Sequence, residues 1–170
     1  MRLTVSLIGT SLIATPAIAG DMTISITIPQ LRVAEYHRPN VAVWIENGEG
    51  EVVADLATWY DLRNRREDGA KWLSDLRTWW RRSGRALDLP VDGVSGPTRA
   101  PGKHVLHFTE GHGPLHRLSA GPYRLLVEAA REVGGREKLA IPFTWPPKGN
   151  KAGTVRGESE LGAVTLSIKP

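Results

Sequence analysis

Short segments in which apolar and polar side chains alternate limit the fold of this chain more than any other feature. The clearest of them, MTISITI, covers residues 22–28 and stops before Pro29. A period of two gives a strand one buried face and one solvated face. Similar or β-branched segments follow at residues 41–45, 52–57, 104–109, 123–130, 139–143 and 161–168. A count of about seven strands predicts a mainly β protein, with one immunoglobulin-like β-sandwich domain over residues 20–170.

One segment has helical spacing instead. Its apolar residues recur at steps of three and four, with Asp68 placed to cap the first turn and Gly84 placed to end the last; they are Trp72, Leu73, Leu76, Trp79 and Trp80. This pattern predicts a single short amphipathic helix over residues 70–83. We expect its Trp-rich face to pack over the open end of the sandwich, and the alternative is a stacking surface for an aromatic ligand.

Glycine and proline mark the connections between these elements. The sequence Asn47-Gly48-Glu49-Gly50 between the second and third segments predicts a β-hairpin. Residues 90–102 are crowded with glycine and proline, which favours an irregular loop without a strand. Residues 146–157 are similarly rich in glycine, proline and lysine, and we expect them to form a long exposed hairpin loop.

The first nineteen residues have the three parts of a secretory signal peptide. A positive start at Met1-Arg2 is followed by an uncharged, mostly apolar stretch at 3–14 and by the small-x-small pattern Ala17-Ile18-Ala19. We therefore expect cleavage after Ala19 and a mature periplasmic protein. The apolar stretch is too short to cross a bilayer comfortably, so a retained membrane anchor is not expected.

Composition and charge exclude several classes of function. The chain has no cysteine, which excludes disulfides, iron–sulfur clusters, thiolate zinc sites and a cysteine nucleophile. The net charge of +4 falls to +3 when Arg2 leaves with the leader. Acidic residues are interspersed among the arginines at 63, 65 and 66 and at 77, 81, 82 and 85, and export separates the protein from most nucleic acid, so nucleic acid is not an expected partner. No nucleophile elbow, His-Glu-x-x-His motif or phosphate-binding glycine loop is present, so we do not expect an enzyme.

Several sequence blocks together resemble a known family. They are His37–Glu46, Leu76–Arg81, Asp92–Gly102 and the strand from Gly121 to Glu132. These blocks are similar to the predicted periplasmic family called domain of unknown function 2271, over nearly the whole mature chain. The Gly121-Pro122-Tyr123 strand also resembles the immunoglobulin-like module of flagellar hook-assembly proteins. The family resemblance implies a place beside PepSY-type membrane proteins and periplasmic flavin transferases in iron-responsive gene clusters.

The segment Asp92-Gly93-Val94-Ser95-Gly96-Pro97-Thr98 resembles the acceptor motif of a magnesium-dependent FAD:protein FMN transferase. That resemblance implies that Thr98 carries FMN as a phosphoester, that Arg99 is a neighbouring cation for the phosphate, and that Asp92, Ser95 and Gly96 serve recognition. The glycines would keep the segment flexible enough to enter another enzyme's site.

The acceptor segment departs from the motif at one position. Pro97 stands where acceptors have alanine, and it removes an N–H that a transferase could bind. The other explanation for the same residues is a turn-rich crossover loop in which Asp92 and Ser95 bond to local backbone.

The five histidines are a second candidate for a site. His104, His107, His112 and His116 lie within thirteen positions, with His37 distant in sequence. Residues 104 and 107 differ by an odd number and point to opposite faces of a strand, so they do not share one ion. His112 and His116 can pair in a glycine-rich loop, but no metal-ligand spacing is present, and we expect solvated histidines without a metal.

Two functional classes therefore remain. In the first, the protein is a periplasmic accessory of a flavin-linked redox or iron-uptake system that carries FMN at Thr98 and exchanges electrons with a membrane partner. In the second, it is a non-redox binding module that docks on a membrane protein or binds a metal through loop histidines. A flavin transferase encoded next to this chain would favour the first.

Overall fold

Nine β-strands make up about half of residues 20–62 and 69–170, which are the residues that the computed structural model describes. The leader, the Asp68 cap and the arginines at 63, 65 and 66 lie outside the described residues. The strands are β1 (Asp21–Ile28), β2 (Asn40–Asn47), β3 (Val52–Tyr60), β4 (Ser95–Pro97), β5 (Gly102–Thr109), β6 (Gly121–Ala130), β7 (Arg136–Trp145), β8 (Lys151–Arg156) and β9 (Ala163–Lys169). The prediction of a mainly β protein is confirmed.

The strands form two sheets that share one core. One sheet has four strands in the order β5-β1-β9-β8, and the other has five in the order β4-β3-β2-β6-β7. Alternate residues of β1, such as Ile24 and Ile26, pack against alternate residues of β2 and β6, such as Val43 and Val127, and all four are almost fully buried. Two sheets with interdigitating inner faces are the sandwich that the alternation predicts.

A second core lies on the outer face of the five-stranded sheet. Six consecutive residues of β2, from position 41 to 46, are buried, because the helical segment covers the face that the sandwich core does not. The residues of this second core are Ala42, Trp44, Tyr60, Leu73, Leu76, Trp79, Leu126 and Ala130. Trp79 and Trp80 pack against the sheet as expected, but Trp72 is 40% exposed. The expected place was also wrong, because the helical segment covers the outer sheet face and not the open end of the sandwich.

The helical segment is three short pieces rather than one helix over 70–83. A 3₁₀ helix at Gly69–Asp75 is followed by α1 (Arg77–Arg82) and by a 3₁₀ turn at Gly84–Ala86. The break comes at Leu76, whose ψ of 66° is not helical. The carboxylate of Glu128 accepts the N–H groups of Thr78 and Trp79, which starts α1 at this point.

Gly84 has a different role from the expected left-handed cap. A Cβ at this position would lie 2.5 Å from Cζ3 of Trp79, so glycine makes room for the indole ring. Glycine is therefore needed at position 84 to leave space for the Trp79 ring, and not to adopt a left-handed backbone conformation.

Two segments predicted as loops contain edge strands. The three residues of β4 pair in parallel with β3, and β8 pairs with β9 from Lys151 opposite Ile168 to Arg156 opposite Ala163. Both expectations of strand-free loops, at 90–102 and 146–157, were therefore wrong. Edge strands cover only the rim of a core, so they do not need the apolar alternation that marks central strands.

The loop between β8 and β9 is held by one carboxylate of β7. Glu137 accepts hydrogen bonds from the N–H groups of Glu158 at 2.6 Å, Ser159 at 3.2 Å and Leu161 at 2.8 Å. Burial raises the pKa of Glu137, but the three backbone bonds outweigh it and hold the pKa below its ordinary value of 4.5.

The lowered pKa predicts a pH-dependent contribution to stability. Because the folded state holds the charged form, the contribution of Glu137 is complete above its ordinary pKa of 4.5 and decreases as the pH falls through the lowered folded pKa. Glu137→Gln should therefore lower the unfolding free energy by about 1–2 kcal/mol at neutral pH and by less in acid. Urea denaturation at several pH values measures this difference, and a constant difference between the two proteins would contradict it.

Candidate functional site

The acceptor-like segment is part of the sheet edge rather than a free loop. The N–H of Thr58 donates to the carbonyl of Val94 at 2.9 Å, and the N–H of Thr98 donates to the carbonyl of Tyr60 at 3.2 Å. These two bonds flank the parallel ladder between β3 and β4. Gly93, with φ of 71°, forms the exposed turn before the strand. Residues 94–98 are therefore bonded along β3, and the turn at Gly93 lies outside this pairing.

Pro97 lies at a position of β4 where a proline removes no hydrogen bond between the strands. In a parallel ladder, alternate residues turn their backbone groups toward the neighbouring strand, and here those residues are Val94, Gly96 and Thr98. Ser95 and Pro97 therefore face outward. The N–H of Ser95 donates to the carbonyl of Val91 at 2.8 Å, and Pro97 has no N–H. The outward edge of β4 thus offers carbonyl acceptors but no free donor from either residue.

Asp92 and Ser95 are separated from Thr98 by the length of β4. The hydroxyl of Ser95 accepts a hydrogen bond from the N–H of Val91 at 2.9 Å, which closes the turn that precedes the strand. Asp92 is exposed and lines a groove at the start of β4, whereas Thr98 follows its end. The segment is extended, so its two ends do not meet at one point.

Thr98 lies beside an aromatic and cationic cluster at the rim of the sandwich. The guanidinium of Arg99 stacks over the ring of Trp59, with Cζ at 5.2 Å from the ring centroid. The ring of His104 meets Trp59 edge-on at a centroid distance of 5.8 Å, and its Nε2 donates to the carbonyl of Ala100 at 2.8 Å. Trp59 itself is 2% exposed, so its ring anchors the cluster to the core.

Two polar groups at this rim lack a side-chain hydrogen bond to the described residues. The Nε of Arg99 is buried and has no acceptor in the part of the chain that the structure describes. Thr98 is half-buried, and its hydroxyl makes no hydrogen bond to any other described residue. A buried cationic donor without an acceptor, one residue after a threonine hydroxyl, can accept an anionic group such as a phosphate as its partner.

A groove of about 880 Å³ lies at the other end of β3 and β4. It is lined by the start of β3, the end of α1 and the segment before β4, and its charged side chains are Glu51, Asp55, Arg81, Arg82 and Asp92, with His116 nearby in the lining. Asp55 is already bound by the indole N–H of Trp79 and the hydroxyl of Ser83. Arg82 is paired with buried Glu46 at 3.3 Å. Two of the charged groups in the groove wall, Asp55 and Arg82, thus also hold the helical segment in place.

The structure gives four of the histidines different partners. His104 binds Ala100, the Nδ1 of His107 lies 3.1 Å from the hydroxyl of Thr23, and His112 contacts the carbonyl of Glu110. His37 bridges the carboxylates of Glu35 and Glu132. Within residues 20–62 and 69–170, no three histidine, aspartate or glutamate side chains come together as a metal would require.

Trp59 and His104 are the members of the cluster that sequence reasoning missed as neighbours of Thr98. Trp59 reaches the segment only through the parallel pairing of Trp59 with Gly96. The only sequence signal for it is the position of this tryptophan at the end of a predicted strand, which says nothing about its partner.

The described strands define a mainly β protein built as a two-sheet sandwich. Comparison with known families matches residues 21–163 to domain of unknown function 2271, described as a predicted periplasmic protein. The chain belongs to this family and is a periplasmic protein. Comparisons with curated proteins and with solved structures gave no match. No helix within the described ranges has the length and apolar character needed to span a membrane.

Proposed function

We propose that this protein is a periplasmic accessory of a flavin-linked redox or iron-uptake system and carries FMN covalently on Thr98. The observation that carries the proposal is the succession of a hydroxyl and a cation in the chain at the rim of the sandwich. Thr98 has a hydroxyl without a hydrogen bond to the described residues, and Arg99 beside it has a buried N–H without an acceptor. The expected partners are a periplasmic flavin transferase and a PepSY-type membrane protein.

The attachment is a group transfer in which atoms and charge balance. The Thr98 oxygen forms a bond to the FMN phosphorus of FAD, the bond between that phosphorus and the bridging oxygen of the pyrophosphate breaks, and AMP leaves. The hydroxyl proton goes to a base of the transferase. Arg99 would pair with the phosphate of the product, and Trp59 would keep the guanidinium beside Thr98. Attached FMN would supply one- and two-electron transfer.

The β4 ladder defines what a transferase must do to reach Thr98. The N–H of Thr98 is bonded to Tyr60 and the strand has only three residues, so release of its end breaks few hydrogen bonds. The turn at Gly93 allows the released strand to swing away from β3. A three-residue edge strand is therefore compatible with a segment that another enzyme modifies.

Co-expression of the exported protein with a periplasmic FAD:protein FMN transferase tests the proposal. The mature chain should gain the mass of FMN minus one water, and the denatured band should fluoresce, because a phosphoester survives unfolding. Thr98→Ala should abolish both signals. Thr144→Ala, at an exposed threonine on the opposite edge of the same sheet, is the matched control and should be labelled like the wild type. Labelling that persists in Thr98→Ala would contradict the proposal.

A non-redox binding module is the second candidate, and the hydrogen bonding of the acceptor segment favours it. Ser95 closes a local turn, and residues 95–97 complete the edge of the sheet, which gives the segment a purely structural use. Under this alternative, a transferase present in the same compartment leaves both the wild type and Pro97→Ala unlabelled. An adjacent gene for a flavin transferase would argue against it.

A further inference from the structure

The open side of the sandwich between β7 and β8 contains an apolar slot. Each of these strands is the last in its sheet, so they face one another without a strand between them. The slot has a volume of about 490 Å³, within the size range of small-molecule sites. We call it the β7–β8 slot and define it by Ile141, Phe143, Lys148, Lys151, Leu166 and Ile168.

The floor of the β7–β8 slot is the sandwich core itself. Ile141, Leu166 and Ile168 are between 1% and 4% exposed and belong to the main core. Gly153 lies opposite Leu166 in the ladder and has no side chain to cover the core at that point. A Cβ there would lie 2.9 Å from Cγ2 of Ile141, so β8 approaches β7 closely at this glycine.

The mouth of the β7–β8 slot carries positive charge only. Lys148 and Lys151 line it and are exposed, and neither forms an ion pair with any residue that the structure describes. Lys151 lies opposite Ile168 in the ladder, so its side chain leaves the strand from the core-facing side. No acidic side chain of the described residues lines the slot. The combination is an apolar floor with two free ammonium groups at its entrance.

We propose that the β7–β8 slot binds a single-chain amphiphile with an anionic head group, of the chemical class of a long-chain fatty acid. The apolar chain would lie over this floor and cover the partly buried ring of Phe143, which removes apolar surface from water. The carboxylate would lie between the ammonium groups of Lys148 and Lys151. A neutral amphiphile would make the apolar contact without the ion pairs. The two lysines therefore give the slot a preference for an anionic head group.

Calorimetric titration of the purified exported protein with decanoate and with 1-decanol tests the inference. Decanoate should bind the wild type about tenfold more tightly than 1-decanol does, because each of two partly exposed charge pairs contributes a modest part of the affinity. Lys148→Gln/Lys151→Gln should weaken decanoate about tenfold and leave 1-decanol unchanged.

The matched control removes the same charge elsewhere. Lys103→Gln/Lys138→Gln changes two exposed lysines outside the slot and should leave both affinities within about twofold of the wild type. Urea denaturation checks that both double variants are folded. Undetectable decanoate binding, or equal losses for decanoate and 1-decanol, or equal losses in the two double variants, would each overturn the proposal. Because Thr98 lies in β4's edge of the sandwich and not in the slot, these outcomes are independent of flavin attachment.

Discussion

Trp79→Ala is expected to lower the free energy of unfolding by about 4 kcal/mol. The indole is fully buried in the second core between α1 and the outer face of the five-stranded sheet. Its Nε1 donates to Asp55 at 2.7 Å, and Gly84 leaves the space that its ring fills. Alanine therefore creates a cavity and removes a donor from a partly buried carboxylate, and the two losses add.

A second substitution at position 79 and one at the adjacent tryptophan separate the loss of packing from the loss of the hydrogen bond. Trp79→Phe keeps most of the packing and removes the indole N–H, so it should cost about 1–2 kcal/mol. Trp80→Ala, at the adjacent half-buried tryptophan, should cost about 1 kcal/mol. Urea unfolding with an unchanged m-value measures all three. A Trp79→Ala protein no less stable than Trp80→Ala would mean that the helical segment does not anchor the outer sheet face.

Glu128→Ala should cost about 3 kcal/mol, because its carboxylate joins three elements from a fully buried position. The carboxylate accepts the N–H groups of Thr78 and Trp79 and pairs with Arg136 at 2.7 Å. Alanine leaves both N–H groups at the start of α1 without an acceptor, and it also removes a negative charge from the positive end of the helix.

Arg136 and Glu132 supply the controls for Glu128. Arg136 is 40% exposed, so Arg136→Ala leaves the bonds to α1 intact and should cost about 1 kcal/mol. Glu132 is 48% exposed, and Glu132→Ala should change the unfolding free energy by about 0.5 kcal/mol or less. If Glu128→Ala and Arg136→Ala lowered the unfolding free energy equally, the hydrogen bonds from Glu128 to the start of α1 would contribute nothing beyond the ion pair with Arg136.

Central strands could be predicted from the sequence because a buried face forces alternation. β1 follows this rule in full, and its observed bounds differ from the predicted ones by one residue. β8 escaped prediction because its core-facing positions are Lys151, Gly153 and Val155, only one of which is a large apolar residue. The break in the helical segment escaped because its cause, Glu128, is about fifty positions away and acts only in the folded chain.

The acceptor segment was found from sequence, but its surroundings were not. A motif gives residue types in order, whereas the position of Trp59 and His104 beside Thr98 depends on how β3, β4 and β5 lie together. The effect of Pro97 likewise depends on which way its backbone faces in the ladder. A proline that faced β3 would remove a hydrogen bond between the strands, whereas Pro97 faces outward and removes only an exposed N–H donor. Pro97→Ala is therefore expected to raise the labelled fraction, because the restored N–H would lie on the exposed edge of β4.

Site-resolved mass spectrometry of the exported wild-type protein, co-expressed with a periplasmic flavin transferase, tests flavin attachment most directly. Tandem spectra should place a single FMN phosphoester on Thr98, and Pro97→Ala should show the same site with a higher labelled fraction. A known acceptor protein expressed in the same cells confirms that the transferase is active. If that acceptor is labelled while both the wild type and Pro97→Ala remain unmodified at Thr98, this protein is not a covalent flavin carrier.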